Sequence, residues 1–307
     1  MSFDLYLPIA RHSVDIFLLL GLGAIIGSFS GIFGVGGGFL MTPLLIMAGI
    51  PPTVAAASDS NQIIAAAASG SYAHYRMGHV DIKMGLFLLA GNLVGGTLGV
   101  EIIKVLRRLG EAGFLIKATY VVLLSLVGTY MLVESIKSLR KAPGERKVPA
   151  GPPLYQRLGQ ALPWQMYFKK SGVALSPLLP LILGGVVGLL AGIMGLGGGF
   201  IMVPLMFYLL GMPMHLVVGT NLFQEAFLCA NVTFVQVVTN HVVDLMLALA
   251  LAVGSGLGAQ FGSRFSRKVR GEQLRFLLAV IILAVMIKIF LGLVLHPHYT
   301  LDVKGIG

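Results

Sequence analysis

The sequence predicts an all-α polytopic membrane protein made of two homologous halves, each of about five helical elements including one short half-helix. Three observations predict it. The chain is 56% hydrophobic and only 11% charged, whereas soluble domains carry about 25% charged residues, so it has too little polar surface to cover itself in water. Apolar stretches at 16–32, 86–100, 178–194 and 276–295 approach or reach the roughly 20 residues that cross a bilayer. A glycine-rich phrase closes an apolar segment twice, offset by 161 residues. It runs from Gly31 through Gly34, Gly36, Gly37, Gly38 and Phe39 to Pro43, and again from Gly192 through Gly195, Gly197, Gly198, Gly199 and Phe200 to Pro204.

The first element, about 14–33, lacks a basic leader and a small-residue cleavage pattern, so it reads as a retained helix rather than a signal peptide. The second, about 39–50, holds about twelve residues, or roughly 18 Å at 1.5 Å per residue. That is too short for a core about 30 Å thick. It is predicted to be a half-helix. The third, about 53–74, is polar for a membrane helix, and the fourth, about 81–106, carries Gly91, Gly95 and Gly99 at the spacing of close helix crossings. The fifth spans about 112–138. Residues 139–176 form a basic linker in which Pro143, Pro149, Pro152, Pro153 and Pro163 prevent a continuous helix. Its Leu154, Tyr155, Leu158, Trp164, Tyr167 and Phe168 suit a segment lying at the membrane surface. The second half repeats the series at about 177–195, 199–210, 214–238, 243–265 and 273–295. The domain reading is a first transmembrane repeat at 1–138, a cytoplasmic linker at 139–176 and a second transmembrane repeat at 177–307.

The repeat extends beyond the glycines. Gly49-Ile50-Pro51 matches Gly211-Met212-Pro213, and the run Ser58 to Gln62 matches Thr220 to Gln224. His79-Val80-Asp81 lies against His241 to Asp244 with one inserted residue, and Gly91, Gly95 and Gly99 against Gly254, Gly258 and Gly262. Agreement of order and spacing over about seventy residues marks a duplication.

Charge sets an expected orientation. If all five elements of each half change side, the linker, the 264–275 loop, Arg76 and Lys83 share one face, which then holds fifteen of the 22 Lys and Arg. Basic residues collect on the cytoplasmic side. This arrangement gives inverted repeats, a cytoplasmic linker and both termini outside, with Lys104, Arg107 and Arg108 on the disfavoured face. The net charge of +10 is therefore read as membrane orientation and contact with anionic lipid, not nucleic-acid binding. Cys229 is the only cysteine, so no intrachain disulfide forms.

A helix that begins inside a membrane points unsatisfied N–H groups and a partial positive charge at whatever precedes it, and binds anions without a fixed cation. Gly36, Gly37 and Gly38, with Gly197, Gly198 and Gly199, are the candidate anion seats; tight packing of small residues is the alternative. No strand precedes the glycines and no lysine follows them, which excludes a P-loop. In the polar third elements, Ser58, Asn61, Gln62, Thr220, Asn221 and Gln224 are candidate substrate contacts, with bonding to a neighbouring helix as the other reading. Asp59 and Glu225 are costly at membrane depth unless paired or protonated. Asp59, opposite neutral Asn221 in the repeat, is the candidate proton-coupling carboxyl; the alternative is a carboxylate locked to a neighbouring helix. His74, His79 and Asp81 have no metal-enzyme spacing, and no metal, cofactor or catalytic residue is expected.

The paired phrases Gly31 to Phe39 and Gly192 to Phe200, each followed by a proline, resemble the sulfite exporter TauE/SafE family, also called the toluene sulfonate uptake permeases. The likeness covers about 18–265. It implies a multi-pass permease of a bacterial inner membrane for small sulfur-containing anions such as sulfite or organosulfonates, and about eight spans against the ten elements read here. Alternating access around a site at the repeat interface follows, with a carrier of another small anion such as a carboxylate, a membrane-embedded metal-dependent enzyme or a non-transporting scaffold as competing readings. The expected partners are the substrate anion and the bilayer. A homodimer is compatible with the sequence.

Overall fold

The computed structural model describes residues 4–7, 12–47, 49–108, 112–139, 163–194, 197–240, 244–266 and 271–295. The described chain is mostly helical, with ten helices. The first half contains α1 (Ile16–Phe33), α2 (Gly38–Met47), α3 (Pro52–Arg76), α4 (Ile82–Arg108) and α5 (Ala112–Leu139). The second contains α6 (Leu178–Met194), α7 (Gly199–Tyr208), α8 (Met214–Asn240), α9 (Leu245–Ser266) and α10 (Gly271–Leu295). Three described segments, Ile16–Phe33, Ile82–Leu106 and Leu245–Ser266, are long and apolar enough to cross a membrane.

Each half opens with a short antiparallel hairpin that the all-helical expectation lacked. β1 (Asp4–Leu7) pairs with β2 (His12–Asp15), and β3 (Met166–Phe168) with β4 (Val173–Leu175). Strands of three or four residues leave almost no periodic signal. The second hairpin also revises the reading of the linker aromatics: Trp164 and Tyr167 are exposed, but Phe168 is buried against Phe87. Leu154, Tyr155 and Leu158 lie outside the described residues.

The helices break where glycine permits a left-handed turn. α1 ends at Gly34 (φ 74°), whose N–H bonds the Ser30 carbonyl at 2.7 Å. Gly36 and Gly37 follow at φ 67° and 85°, and Gly197 and Gly198 before α7 take 70° and 75°. A Cβ there costs about 1–2 kcal/mol, which accounts for the residue type at both breaks. α2 and α7 have ten residues each, about 15 Å, and so are half-helices.

The two halves are interlocked rather than side by side. α1 packs on α9, with Gly23 against Leu251, Gly27 against Ser255 and Gly31 against Ala259. Both sequences advance together, so these helices run in the same direction. The reciprocal pair, α4 on α6, brings Gly91 to Leu181, Gly95 to Gly185 and Gly99 to Leu189, again in the same direction. A Cβ at Gly91, Gly95, Gly99, Gly254, Gly258 or Gly262 would come within 3.0 Å of backbone. These glycines permit close helix crossings. α3 and α8 meet in opposite directions: Gly219 touches His74, while Leu222 touches Gly70. α5 pairs with α10 at the periphery, through Gly128 against Ile282 and Leu283. The polar third helices are thus central, and the most apolar ones surround them.

Candidate functional site

The two glycine loops converge on one carboxyl group. Glu225, from the second turn-pair of α8, is fully buried. Its Oε1 accepts the Gly199 N–H at the start of α7 (3.1 Å), and its Oε2 accepts Asn221 Nδ2 (3.2 Å). A Cβ built on Gly197 or Gly199 would lie 2.5 or 2.6 Å from Oε1. One built on Gly36, in the other half, points at the same oxygen. Cβ positions on Gly37 and Gly198 point elsewhere, each 2.6 Å from a side chain of the preceding long helix, Ile26 or Val187. The three glycines of each phrase therefore have different duties: the second permits the turn, while the first, and in the second copy the third, clear space around the carboxyl.

Asn221 links the halves, donating to the Gly34 carbonyl at 2.5 Å as well as to Glu225. Gln224 Nε2 donates to Asn221 Oδ1 at 2.6 Å, and Gln224 Oε1 accepts from Asn92 Nδ2 of α4. Gln62 Nε2 bonds the Gly36 carbonyl at 3.2 Å. Asp59 Oδ2 accepts from Thr42 Oγ1 of α2 at 2.6 Å, tying the half-helix to α3. The buried atoms Asp59 Oδ1, Gln62 Oε1 and Asn92 Oδ1 have no hydrogen-bond partner among the described residues. A buried polar network with open positions differs from ordinary membrane packing, where such groups are matched.

Not every candidate joins this cluster. The Ser58 hydroxyl accepts the Asp244 N–H at 3.0 Å and the Thr220 hydroxyl accepts the Asp81 N–H at 2.9 Å. Each is engaged in capping the fourth helix of the opposite half. Asn61 is half-buried and bonds back to the Ala57 carbonyl at 3.4 Å. Gly38 is the first residue of α2, and among the described residues no side chain accepts from its N–H. Sequence reasoning did not single out Asn92 or Thr42. Both lie on helices whose other features, a glycine row and a half-helix, drew the interpretation, and a lone amide or hydroxyl there carries no pattern.

Among the described residues no Lys or Arg bonds to this network, and the chain has neither from 12 to 75 or from 171 to 263, which spans both glycine loops and both third helices. Backbone N–H groups, amides and helix dipoles supply its positive potential. Beside it, a mostly apolar groove of about 450 Å³ follows the α3–α8 seam, lined by Ile64, Tyr72, Tyr75, Ile82, Phe223 and Phe227. Phe223 of its lining is two residues before Glu225, and Ile64 follows Ile63, whose side chain borders Gly36. Where α3 ends, His79 stacks on His215 at a ring-centroid distance of 5.5 Å and lies tilted to His74 at 6.0 Å, and His74 Nε2 meets the Gly31 carbonyl at 3.2 Å.

Broken apolar helices around a buried polar centre are the build of a membrane transporter. The chain belongs to the sulfite exporter TauE/SafE family, whose model matches residues 19–289. It is 27% identical over 278 residues to the probable membrane transporter protein YjnA of Bacillus subtilis, covering 90% of this chain and 99% of that one. A second relative in the same organism, the probable membrane transporter protein YunE, is 25% identical across 87% of this chain and 94% of its own. The sulfite exporter TauE/SafE family protein 6 of Arabidopsis thaliana is 31% identical over 111 residues, 36% of this chain and 24% of that one. No solved structure matches. The protein is a membrane transporter and not an enzyme.

Proposed function

We propose that this transporter moves small sulfur-containing anions, such as sulfite or organosulfonates, across a bacterial inner membrane by alternating access. The observation that carries the reading is the meeting of both glycine loops at one buried point between the halves, with no Lys or Arg bonded there among the described residues. The substrate seat comprises Gly36, Gly37 and Gly38, Gly197, Gly198 and Gly199, with Gln62, Asn221 and Gln224 as side-chain contacts. Ser58, Asn61 and Thr220 line it less directly, through the helices they hold. The family name supports the sulfur chemistry.

Inverted repeats account for the packing. Helices related by a two-fold axis in the membrane plane run antiparallel where they meet, as α3 and α8 do. If α2 descends between ascending α1 and α3, each half crosses five times and its partner is upside down. The Thr42–Asp59 bond supports that hairpin, and the shared direction of α1 and α9 agrees with it. The basic linker, Arg76, Lys83 and Arg264 then share the cytoplasmic face. Rocking of one half against the other would open the central site alternately. Asp59, whose second oxygen has no partner among the described residues, is the candidate for proton coupling.

The test is flux into liposomes of purified protein, screening sulfite, thiosulfate, sulfate and sulfonates with and without a pH gradient. Saturable movement of a sulfur anion is expected. Carboxylates belong in the same screen, because a carboxylate side chain already occupies the α7 N-terminus. Selective movement of a carboxylate with no response to sulfur anions would replace the substrate class and keep the carrier.

A further inference from the structure

We propose that Glu225 is a resident counter-anion, holding the α7 N-terminus in the empty carrier and taking up a proton when a substrate anion enters. This rests on the reading of the site as an anion seat. The geometry is specific: one carboxylate accepts the first N–H of α7 and an amide of Asn221, and is enclosed by Gly36, Gly197 and Gly199 from both halves. It stands where an anion drawn to that helix end would stand. A second full negative charge about 4 Å away would meet strong repulsion in a poorly screened interior. A protonated Glu225 removes that repulsion and offers the anion an O–H donor.

The device belongs to one half only. The residue equivalent to Glu225 in the first repeat is Ile63, and no side chain accepts from Gly38 at the α2 N-terminus among the described residues. One helix start is thus held by an internal anion while its counterpart has no side-chain acceptor among the described residues. The other titratable groups near Glu225 are Asp59 on α3 and Cys229 one turn along α8. From α4 comes neutral Asn92, through Gln224; α7 carries only Tyr208, at its far end, and the glycine loops carry no titratable side chain. His74, His79 and His215 lie further along α3 and α8. A purely structural role, capping α7, is the alternative that the experiment must exclude.

Anion binding is measured by calorimetry on native protein, Glu225→Gln and Asp59→Asn, in buffers of different ionisation enthalpy. Methanesulfonate and thiosulfate are the probes, because neither takes up a proton between about pH 5 and pH 9, the range in which linkage is read. Native protein and Asp59→Asn are expected to take up about one proton per anion, with affinity falling about tenfold per pH unit above the transition. Glu225→Gln should bind with no proton uptake and a flat pH profile. Uptake that persists in Glu225→Gln, or disappears in Asp59→Asn instead, overturns the proposal. So does a folded Glu225→Gln that binds no anion, since the carboxylate is then needed only as a cap. Should Glu225→Gln fail to fold, the other two proteins decide: uptake by both supports the proposal, and its absence in either overturns it. If native protein ignores both probes but binds acetate with uptake that Glu225→Gln lacks, the sulfur assignment falls and the counter-anion stands. Binding of no anion by any variant ends both.

Discussion

Replacing Asp81 by alanine should loosen the join between the first half and the hairpin that opens the second. Asp81 Oδ1 accepts the Met84 N–H at 3.1 Å and so caps α4. Its Oδ2 accepts both the Ser171 hydroxyl, at 2.5 Å, and the Ser171 N–H, at 3.1 Å. Both residues are buried, so solvent does not screen these bonds. Loss of a helix cap costs about 0.5–2 kcal/mol, and each hydrogen bond to a charged group about 1.5–3 kcal/mol. Because one side chain makes all three, they are not additive, and a net loss of about 3 kcal/mol is expected. For a chain of this size that lowers the melting temperature by about 6 °C, at roughly 2 °C per kcal/mol. The chain carries its own reporter: Cys229 is the only cysteine and is fully buried, so a thiol-reactive dye signals only on unfolding. Asp81→Asn keeps a capping oxygen and should cost about 1 kcal/mol. If Asp81→Ala melts with the native protein, or Asn is as damaging as Ala, the hairpin is not held as described.

The remaining predictions concern the carrier. Gly37→Val and Gly198→Val should abolish transport while protein stays in the membrane. The new Cβ would meet Ile26 or Val187 at 2.6 Å at a positive φ and distort the start of the half-helix; near-native flux in both would show that the breaks are not critical. Asp59→Asn should bind anion with proton uptake at Glu225 intact yet fail to use a pH gradient, because Asp59 is the group proposed to pass that proton on across the membrane; gradient-driven accumulation equal to native would remove Asp59 from coupling. Cysteines at the equivalent exposed positions Pro51 and Pro213, in a Cys229→Ala background, should label from opposite faces of the membrane; labelling from the same face would mean parallel repeats.

Much of this architecture was legible because glycine and apolarity leave long-wavelength signals. The breaks at Gly34 to Gly38 and Gly197 to Gly199 and the half-helices after them follow from residue types that only one backbone geometry needs. Gly91, Gly95 and Gly99 announced a close crossing, though not that α6 would fill it. What the sequence could not yield was pairing across distance. Ser58 and Thr220 looked like ligand contacts because they recur. They recur because each bonds the start of the opposite half's fourth helix, 186 and 139 residues away. Glu225 stood out as a costly charge, but its seat on Gly199 depends on how α7 lies against α8. Three-residue strands at 166–168 and 173–175 fell below what any periodic pattern reveals.

The reciprocal exchange of helices sets a schedule for synthesis. The glycine row of α1 finds its partner in α9, and Gly23 and Gly254 are more than two hundred residues apart in the chain. At about 5–20 residues per second, α1 waits on the order of ten to fifty seconds for the surface that covers it. During that interval the first half has its own α1–α3 and α2–α3 contacts but lacks the face of α9 that its glycine row is shaped to meet. A ribosome stalled in the linker would leave a half that is threaded but not folded. Two halves expressed as separate chains would each be unstable alone and would rescue one another only when present together.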